Sequence, residues 1–241
     1  MLGFVDIHSH ILPGVDDGAG DIEEAICMLA IAYEQGIRIM IATPHYSAGR
    51  DNIAADELKK ITKEVGLAVH NAGLDIQLVL GNELLYSMDL VDALDKGEAL
   101  TMDGTRYILV EFLPSTSFQE IKSGLNHCIY SGYIPILAHA ERYRSLRAQP
   151  ERVEELIRLG VYIQLNLSSL VGGIAKQSVH FAHKLIKRGW VHFLGTDAHG
   201  VERRPPVIEN ALGYLYRRYG EDIIQQLLWD NPLRMLEDKP L

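Results

Sequence analysis

Seven short apolar segments alternate with helical stretches along this chain: "FVDI", "IRIMIAT", "DIQLVLG", "YILVEF", "YIPILAH", "VYIQLN" and "VHFLGT". Each reads as a strand by its run of apolar and β-branched residues. The first helical stretch begins at Asp21, with Glu24 placed to complete a capping box. It buries Ile22, Ala25, Ile26, Leu29 and Tyr33 and stops near Gly36. Further helices are expected around 54–72, 117–131, 150–159, 175–188 and 205–229. Strands that alternate with helices form a parallel sheet, because the chain must cross back before it can pair again. Seven such units in 241 residues point to an α/β fold closed, or nearly closed, into a barrel. An open doubly wound sheet is the alternative. No tandem repeat, low-complexity segment or Pro/Gly/Ser linker divides the sequence, so 1–241 is expected to form a single domain.

The polar residues at the strand ends carry the chemistry. His8 and His10 follow "FVDI", His45 follows "IATP", Glu83 follows "LVLGN" and Glu111 follows "YILV". His139 follows "PILA", and Asp197 and His199 follow "FLGT". In a parallel barrel the C-terminal strand ends gather on one face, where such folds place their active sites. Side chains alternate along a strand, so Asp6, His8 and His10 project together. Buried charges and imidazoles are costly unless paired or metal-bound, and so many together read as a metal site. Imidazole and carboxylate without thiolate suit Mn, Fe or Zn, and the donors are too many for one ion. His70, His127, His180 and His183 fall in helical stretches and read as solvated helix faces, while His192 lies inside the last strand and reads as a core residue.

Charge and cysteine usage narrow the partners. The chain carries 23 basic and 32 acidic residues, net −9, which argues against a broad nucleic-acid or anionic-membrane surface, although a local arginine cluster can still take a phosphate. Two cysteines, Cys27 and Cys128, give neither a disulfide framework nor a zinc-thiolate pattern and fit a reducing cytosol. No segment approaches the ~20 apolar residues of a spanning helix, so a cytoplasmic protein without direct membrane insertion is expected. "HCIYSGYI" brings cysteine-based phosphatases to mind, but the sixth position after Cys128 is Ile134, where that chemistry needs a phosphate-binding arginine.

The pieces "DIHSHILPGVDDG", "TPH", "GNE", "VEF", "AHAERY", "GTDAH" and "RRPP", in this order from Val5 to about Pro232, resemble the bacterial PHP-family protein-tyrosine phosphatases linked to capsule and exopolysaccharide synthesis. The resemblance implies a distorted (β/α)7 TIM-like barrel holding three divalent metal ions, with Mn2+ preferred over Fe or Zn. It implies His8, His10, Glu83 and Asp197 around the first ion, Glu83, Glu111 and His139 around the second, and Asp17, His45 and His199 around the third. Asp17 rather than Asp16 is the aspartate of "VDDG" that aligns with the ligand.

Arg142 and Arg204 match the family's functional arginines and are expected to cradle phosphate. Neighbouring ions lower the pKa of a bridging water from about 15.7 towards neutrality, so attack by hydroxide on the phosphorus needs no protein nucleophile. The implied substrate is phosphotyrosine on a protein, such as a tyrosine kinase controlling polysaccharide export. Two other readings stand beside it: a PHP phosphatase of a small phosphomonoester such as histidinol phosphate, and a non-catalytic metal-binding regulatory module.

Overall fold

The computed structural model describes residues 3–172 and 175–241. Its strands are β1 (Phe4–Ser9), β2 (Ile37–Ala42), β3 (His45–Ser47), β4 (Gln77–Leu80), β5 (Glu83–Leu85), β6 (Tyr107–Glu111), β7 (Ile134–Leu137), β8 (Tyr162–Asn166) and β9 (Phe193–Gly195). All pair in parallel, in the orders β1-β2-β4 and β3-β5-β6-β7-β8-β9. The seven expected strands are all present; β3 and β5 are continuations of the second and third after a break. β9 returns to β1 through a Ser9–Ala198 bridge, where the Asp197 N–H donates to the His8 carbonyl and the His10 N–H to that of Ala198. The result is the distorted parallel α/β barrel expected, with one bridge in place of a full ladder at the seam.

The breaks have local causes. Pro44 has no N–H to give the ladder, so the second strand stops before it and resumes at His45. In the third strand, a Cβ on Gly81 would lie 2.9 Å from the Met102 sulfur, so this close approach of the chain requires glycine. Buried Asn82 fills the gap that follows: its amide donates to the Pro44 carbonyl and its oxygen accepts from the Leu100 N–H, both at 2.9 Å. The restart brings His45 directly opposite Glu83, and Leu85 opposite Glu111, across the β3–β5–β6 ladder.

Helices Ile22–Glu34, Ala55–Asn71, Phe118–Tyr130, Glu151–Arg158 and Lys176–Lys187 occupy the expected stretches. The capping box at Asp21 is only half formed. Asp21 accepts from the Glu24 N–H, but the Glu24 carboxylate accepts from Gly20 and Val201 instead and so ties the first loop to the last. The single helix expected over 205–229 is broken into Glu209–Tyr219, Glu221–Gln225 and a π turn at Gln226–Asp230, followed by Asn231–Leu236. Gly220, at φ 86°, turns the chain after the first piece. Short helices at Leu90–Asp95, Arg144–Ala148 and Leu167–Leu170 lie below the length at which periodicity is readable. Among the described residues no helix is long and apolar enough to cross a membrane.

Alternation along the strands separates two apolar clusters. Ile108 and Val110 of β6 pack with the helices, whereas Tyr107 and Leu109 join Val5, Ile41, Ile136 and Phe193 in a second, inner cluster. Glu111 continues the Tyr107–Leu109 face at the end of β6. On β8, Ile163 and Leu165 pack with the helices, and Gln164 and Asn166 take the alternate positions.

Candidate metal centre

All nine residues singled out as ligand types come together at the C-terminal strand ends. Glu83 is the hub. Its Oε2 lies 3.2 Å from the Nε2 of both His8 and His10 and 3.2 Å from Nδ1 of His45, while its Oε1 lies 2.7 Å from Nε2 of His139. Glu111 reaches His45 at 3.4 Å and His139 at 3.5 Å. Asp197 Oδ1 lies 3.6 Å from the Nε2 atoms of His8 and His10. On the outer side, Asp17 Oδ1 lies 3.3 Å from His199 Nε2 and 3.6 Å from His45 Nε2.

These atoms form three groups in which every donor lies within 4.8 Å of the others: His8, His10, Glu83 and Asp197; His45, Glu83 and Glu111; and His10, Asp17, His45 and His199. Donors about 2.1 Å from a shared ion stand about 3.0–3.4 Å from one another, close to the separations here. The Nε2 atoms of His8 and His10 face each other at 3.4 Å, an arrangement of two ring nitrogens that a cation between them would satisfy. A donor set of imidazole and carboxylate, buried at its inner end, therefore fits divalent cations.

Hydrogen bonds behind these atoms fix which nitrogen faces inward. Asp16 Oδ2 takes the His10 Nδ1 proton at 2.7 Å, turning Nε2 toward Glu83, and also accepts from the His45 N–H at 3.1 Å. The His199 Nδ1 donates to the Asp197 carbonyl at 2.9 Å, which leaves its Nε2 free toward Asp17. Gln164 Oε1 accepts from the His139 backbone N–H at 2.6 Å and lies 3.5 Å from His8 Nδ1. Such partners set ring orientation and basicity. Asp16 and Asp17 thus differ in kind: Asp16 supports a histidine from behind, and Asp17 points a largely solvent-exposed carboxylate into the cluster. A Cβ on Gly18 would fall 1.9 Å from the His10 carbonyl, so the turn that carries both aspartates admits only glycine there.

The two oxygens of Asp197 are divided between tasks. Oδ1 faces the imidazoles, while Oδ2 accepts from Arg142 at 2.6 Å, Asn166 at 2.8 Å and Arg204 at 3.3 Å. Both guanidinium groups predicted to hold phosphate therefore sit at the mouth of the site, 33% and 36% exposed, above the buried histidines. Three of the residues with positive φ outside glycine belong here: His139 (34°), Asp197 (53°) and Arg204 (57°). Backbone of this kind costs ~1–3 kcal/mol per residue and persists where the surroundings enforce it.

Burial alone would raise Glu83, but the charges of His8, His10 and His139 hold its carboxyl well below the usual range. Burial likewise opposes protonation of His10 and His139, yet the carboxylates of Asp16 and Glu83 carry His10 up to about 10, and those of Glu111 and Glu83 carry His139 to about 9. His199, buried and next to the charge of His10, falls to about 4. In the metal-free protein protons thus occupy part of the place that cations fit.

Several supporting residues escaped the sequence reading. Gln164 and Asn166 had a readable signal, two polar side chains at alternate positions of an apolar strand. Asp6 shares the face of His8, but its carboxylate accepts from Thr196 Oγ1 and N–H and from the His8 N–H, and burial raises it to about 6. Buried Glu141 accepts from Ser169 and the Asn166 N–H, and burial raises its carboxyl too. His183 departs from the solvated role expected of it: it is half-buried, with Nδ1 2.7 Å from the Tyr219 hydroxyl and Nε2 3.0 Å from the Leu170 carbonyl. His192 is a supporting residue of the strand ladder, its Nδ1 accepting from the Ile163 N–H. The Cys128 thiol is fully buried and pushed up to about 12, the opposite of an activated thiolate.

A parallel barrel whose strand ends gather imidazoles and carboxylates around cation-sized gaps, beneath two arginines, defines the class of metal-dependent barrel hydrolases. Within that class the chain belongs to the family described as Capsular polysaccharide synthesis, CpsB/CapC, which matches residues 4–237. It is 32% identical over 240 residues to the tyrosine-protein phosphatase CpsB of Streptococcus pneumoniae, covering 98% of this chain and 99% of that protein. It is 31% identical over 241 residues to the tyrosine-protein phosphatase YwqE of Bacillus subtilis, covering 98% and 93%. A solved structure from work on YwqE and CpsB, described as unique metal-dependent tyrosine phosphatases, superposes with a TM-score of 0.91 at 31% identity, covering 98% of this chain and 95% of that one. The Escherichia coli phosphotriesterase homology protein, with phosphate in its active site, shares the fold at a TM-score of 0.64 and 13% identity.

Proposed function

We propose that this protein is a metal-dependent protein-tyrosine phosphatase, a single domain over 1–241, acting in the cytoplasm on a tyrosine kinase of polysaccharide export. The observation that carries the reading is the convergence of His8, His10, His45, Glu83, Glu111, His139, Asp197 and His199, with Asp17 at the rim, in a chain similar over its whole length to tyrosine phosphatases. His8, His10, Glu83 and Asp197 would hold one ion, Glu83, Glu111 and His139 a second, and Asp17, His45 and His199 a third, with manganese preferred. The ions supply, when bound, Lewis acidity that makes water nucleophilic near neutral pH and offsets phosphoryl charge.

The chain's own residues do the rest. Arg142 and Arg204 offer planar donors at the mouth and bind the phosphoryl oxygens there, where charge spreads in the transition state. Asp16, Gln164 and Asn166 keep His10, His139 and Asp197 in place as substrate arrives. Tyrosine suits the reaction because its phenol, with a pKa of about 10, leaves far more readily than a serine alkoxide. Its ring also carries the phosphate deeper than serine would.

Rates with a phosphotyrosine peptide, a phosphoserine peptide and histidinol phosphate, under identical manganese loading, test the proposal. Phosphotyrosine is expected to be hydrolysed fastest. Preference for histidinol phosphate would overturn the substrate, and no phosphate release with any of Mn, Fe, Co or Zn would make the protein a binding module.

A further inference from the structure

Beside the catalytic mouth lies a groove of about 830 Å³ between helix Arg144–Ala148 and the first half of helix Lys176–Lys187. Its lining includes Arg144, Arg147, Lys176, His180, Phe181 and Lys184. In a chain of net charge −9 this concentration of cations runs against the overall balance. The exposed side chains of Arg144 and Lys176 have no ion-pair or hydrogen-bond partner among the described residues, and Lys184 has only Glu151 at 3.9 Å. Arg147 is different: its Nη1 donates to the carbonyls of Glu141 and Arg142, at 2.9 and 2.7 Å, and so joins the groove wall to the loop that carries Arg142 into the site.

We infer that this groove is a second anion subsite, which binds acidic residues of a polypeptide substrate two to four positions from the phosphotyrosine. The inference rests on the phosphatase reading above. Arg144 follows Arg142 by two residues, so their Cα atoms are at most ~7 Å apart. An extended peptide advances about 3.4 Å per residue. A substrate whose phosphate meets Arg142 therefore carries its near neighbours over Arg144 and on toward Lys176. The protein's overall negative charge does not cancel the attraction, because at physiological salt charges beyond about 8 Å are largely screened. A recess between two helices also suits a chain of side chains better than a flat membrane.

The test is the double reversal Arg144→Glu with Lys176→Glu, in manganese-loaded full-length protein. Arg144 is exposed, and a glutamate at the first residue of the second helix favours its N-terminus, so the fold is expected to hold. Wild type should hydrolyse an Asp/Glu-flanked phosphotyrosine peptide faster than a Lys-flanked one. The double variant should lose about tenfold in kcat/KM on the acidic peptide, mostly in KM and less at high salt, and stay within about twofold of wild type on p-nitrophenyl phosphate. Indifference of the wild type to the flanks, or an equal loss on the small aryl phosphate, would overturn the subsite. So would loss of binding to phosphatidylserine vesicles with unchanged peptide kinetics, which would assign the groove to a membrane. If wild type hydrolyses none of these substrates, the phosphatase reading fails, and fluorescence anisotropy of the labelled acidic peptide decides the groove. Binding by wild type and not by the variant upholds it, and equal binding or none overturns it.

Discussion

Substituting alanine for Asp16 or for Asp17 should give opposite signatures, although the two are adjacent in sequence. Asp16 accepts three hydrogen bonds, from His10 Nδ1 at 2.7 Å, Gly18 N–H at 2.9 Å and His45 N–H at 3.1 Å, and His10 is fully buried. Losing the charge-assisted bond and leaving a buried ring nitrogen unpaired should cost about 3 kcal/mol. For a chain of this size that lowers Tm by about 6–12 °C. Asp17 has a 61% exposed side chain and no partner nearer than His199 at 3.3 Å, so Asp17→Ala should leave metal-free stability within about 0.5 kcal/mol. Metal content should reverse the order. Asp17→Ala should lose one manganese equivalent even at saturation, whereas Asp16→Ala should recover full occupancy at about 10–100-fold higher manganese. Thermal denaturation of the stripped proteins and elemental analysis of the reloaded ones decide the matter. If Asp17→Ala destabilises the stripped protein and Asp16→Ala permanently loses an ion, the roles argued from the hydrogen bonds are reversed.

Arg204→Ala should slow phosphotyrosine hydrolysis about a hundredfold, ~3 kcal/mol in the transition state, with metal content unchanged and only partial recovery in Arg204→Lys; a loss within about twofold, measured by peptide kinetics, would make "RRPP" a structural turn. A chelator should abolish turnover and a thiol-alkylating reagent should not, since the buried Cys128 thiol is pushed up to about 12; inactivation that tracks alkylation of Cys128 by mass spectrometry would reopen a cysteine mechanism. Manganese uptake at pH 7 should release about two protons, because ions displace protons from His10 and His139, raised to about 10 and about 9, and affinity should climb as pH rises; calorimetry in buffers of different ionisation enthalpy reads the number, and pH-independent uptake would refute it. The same two groups stabilise the stripped protein fully below their ordinary value of 6.5 and lose that contribution as pH rises through 9 to 10, so its Tm should fall over that interval.

The ligand-type residues were legible because each ends an apolar strand, and a parallel barrel turns that local property into a shared location. Breaks within a strand were not legible in the same way. Pro44 and Gly81 look like strand ends, and only the contacts of Asn82 with Pro44 and Leu100 reveal that each strand goes on. Asp16 and Asp17 are equivalent in "VDDG", and their separation arises from how Gly18 folds against the His10 carbonyl. The partner of a ring nitrogen, such as Gln164 for His8 or the Asp197 carbonyl for His199, lies far away or on the backbone and leaves no mark in residue type.

The left-handed backbone at His139, Asp197 and Arg204 sets stability against activity in this protein. Each position would fold more easily with glycine or asparagine, and each would then lose the side chain that the site requires. Directed evolution for heat tolerance alone should therefore drift toward glycine or asparagine at these three positions and yield robust, inert barrels. Selection that also demands turnover must find its gains elsewhere, in the helical shell, and the strained trio will persist in even the most thermostable active descendants.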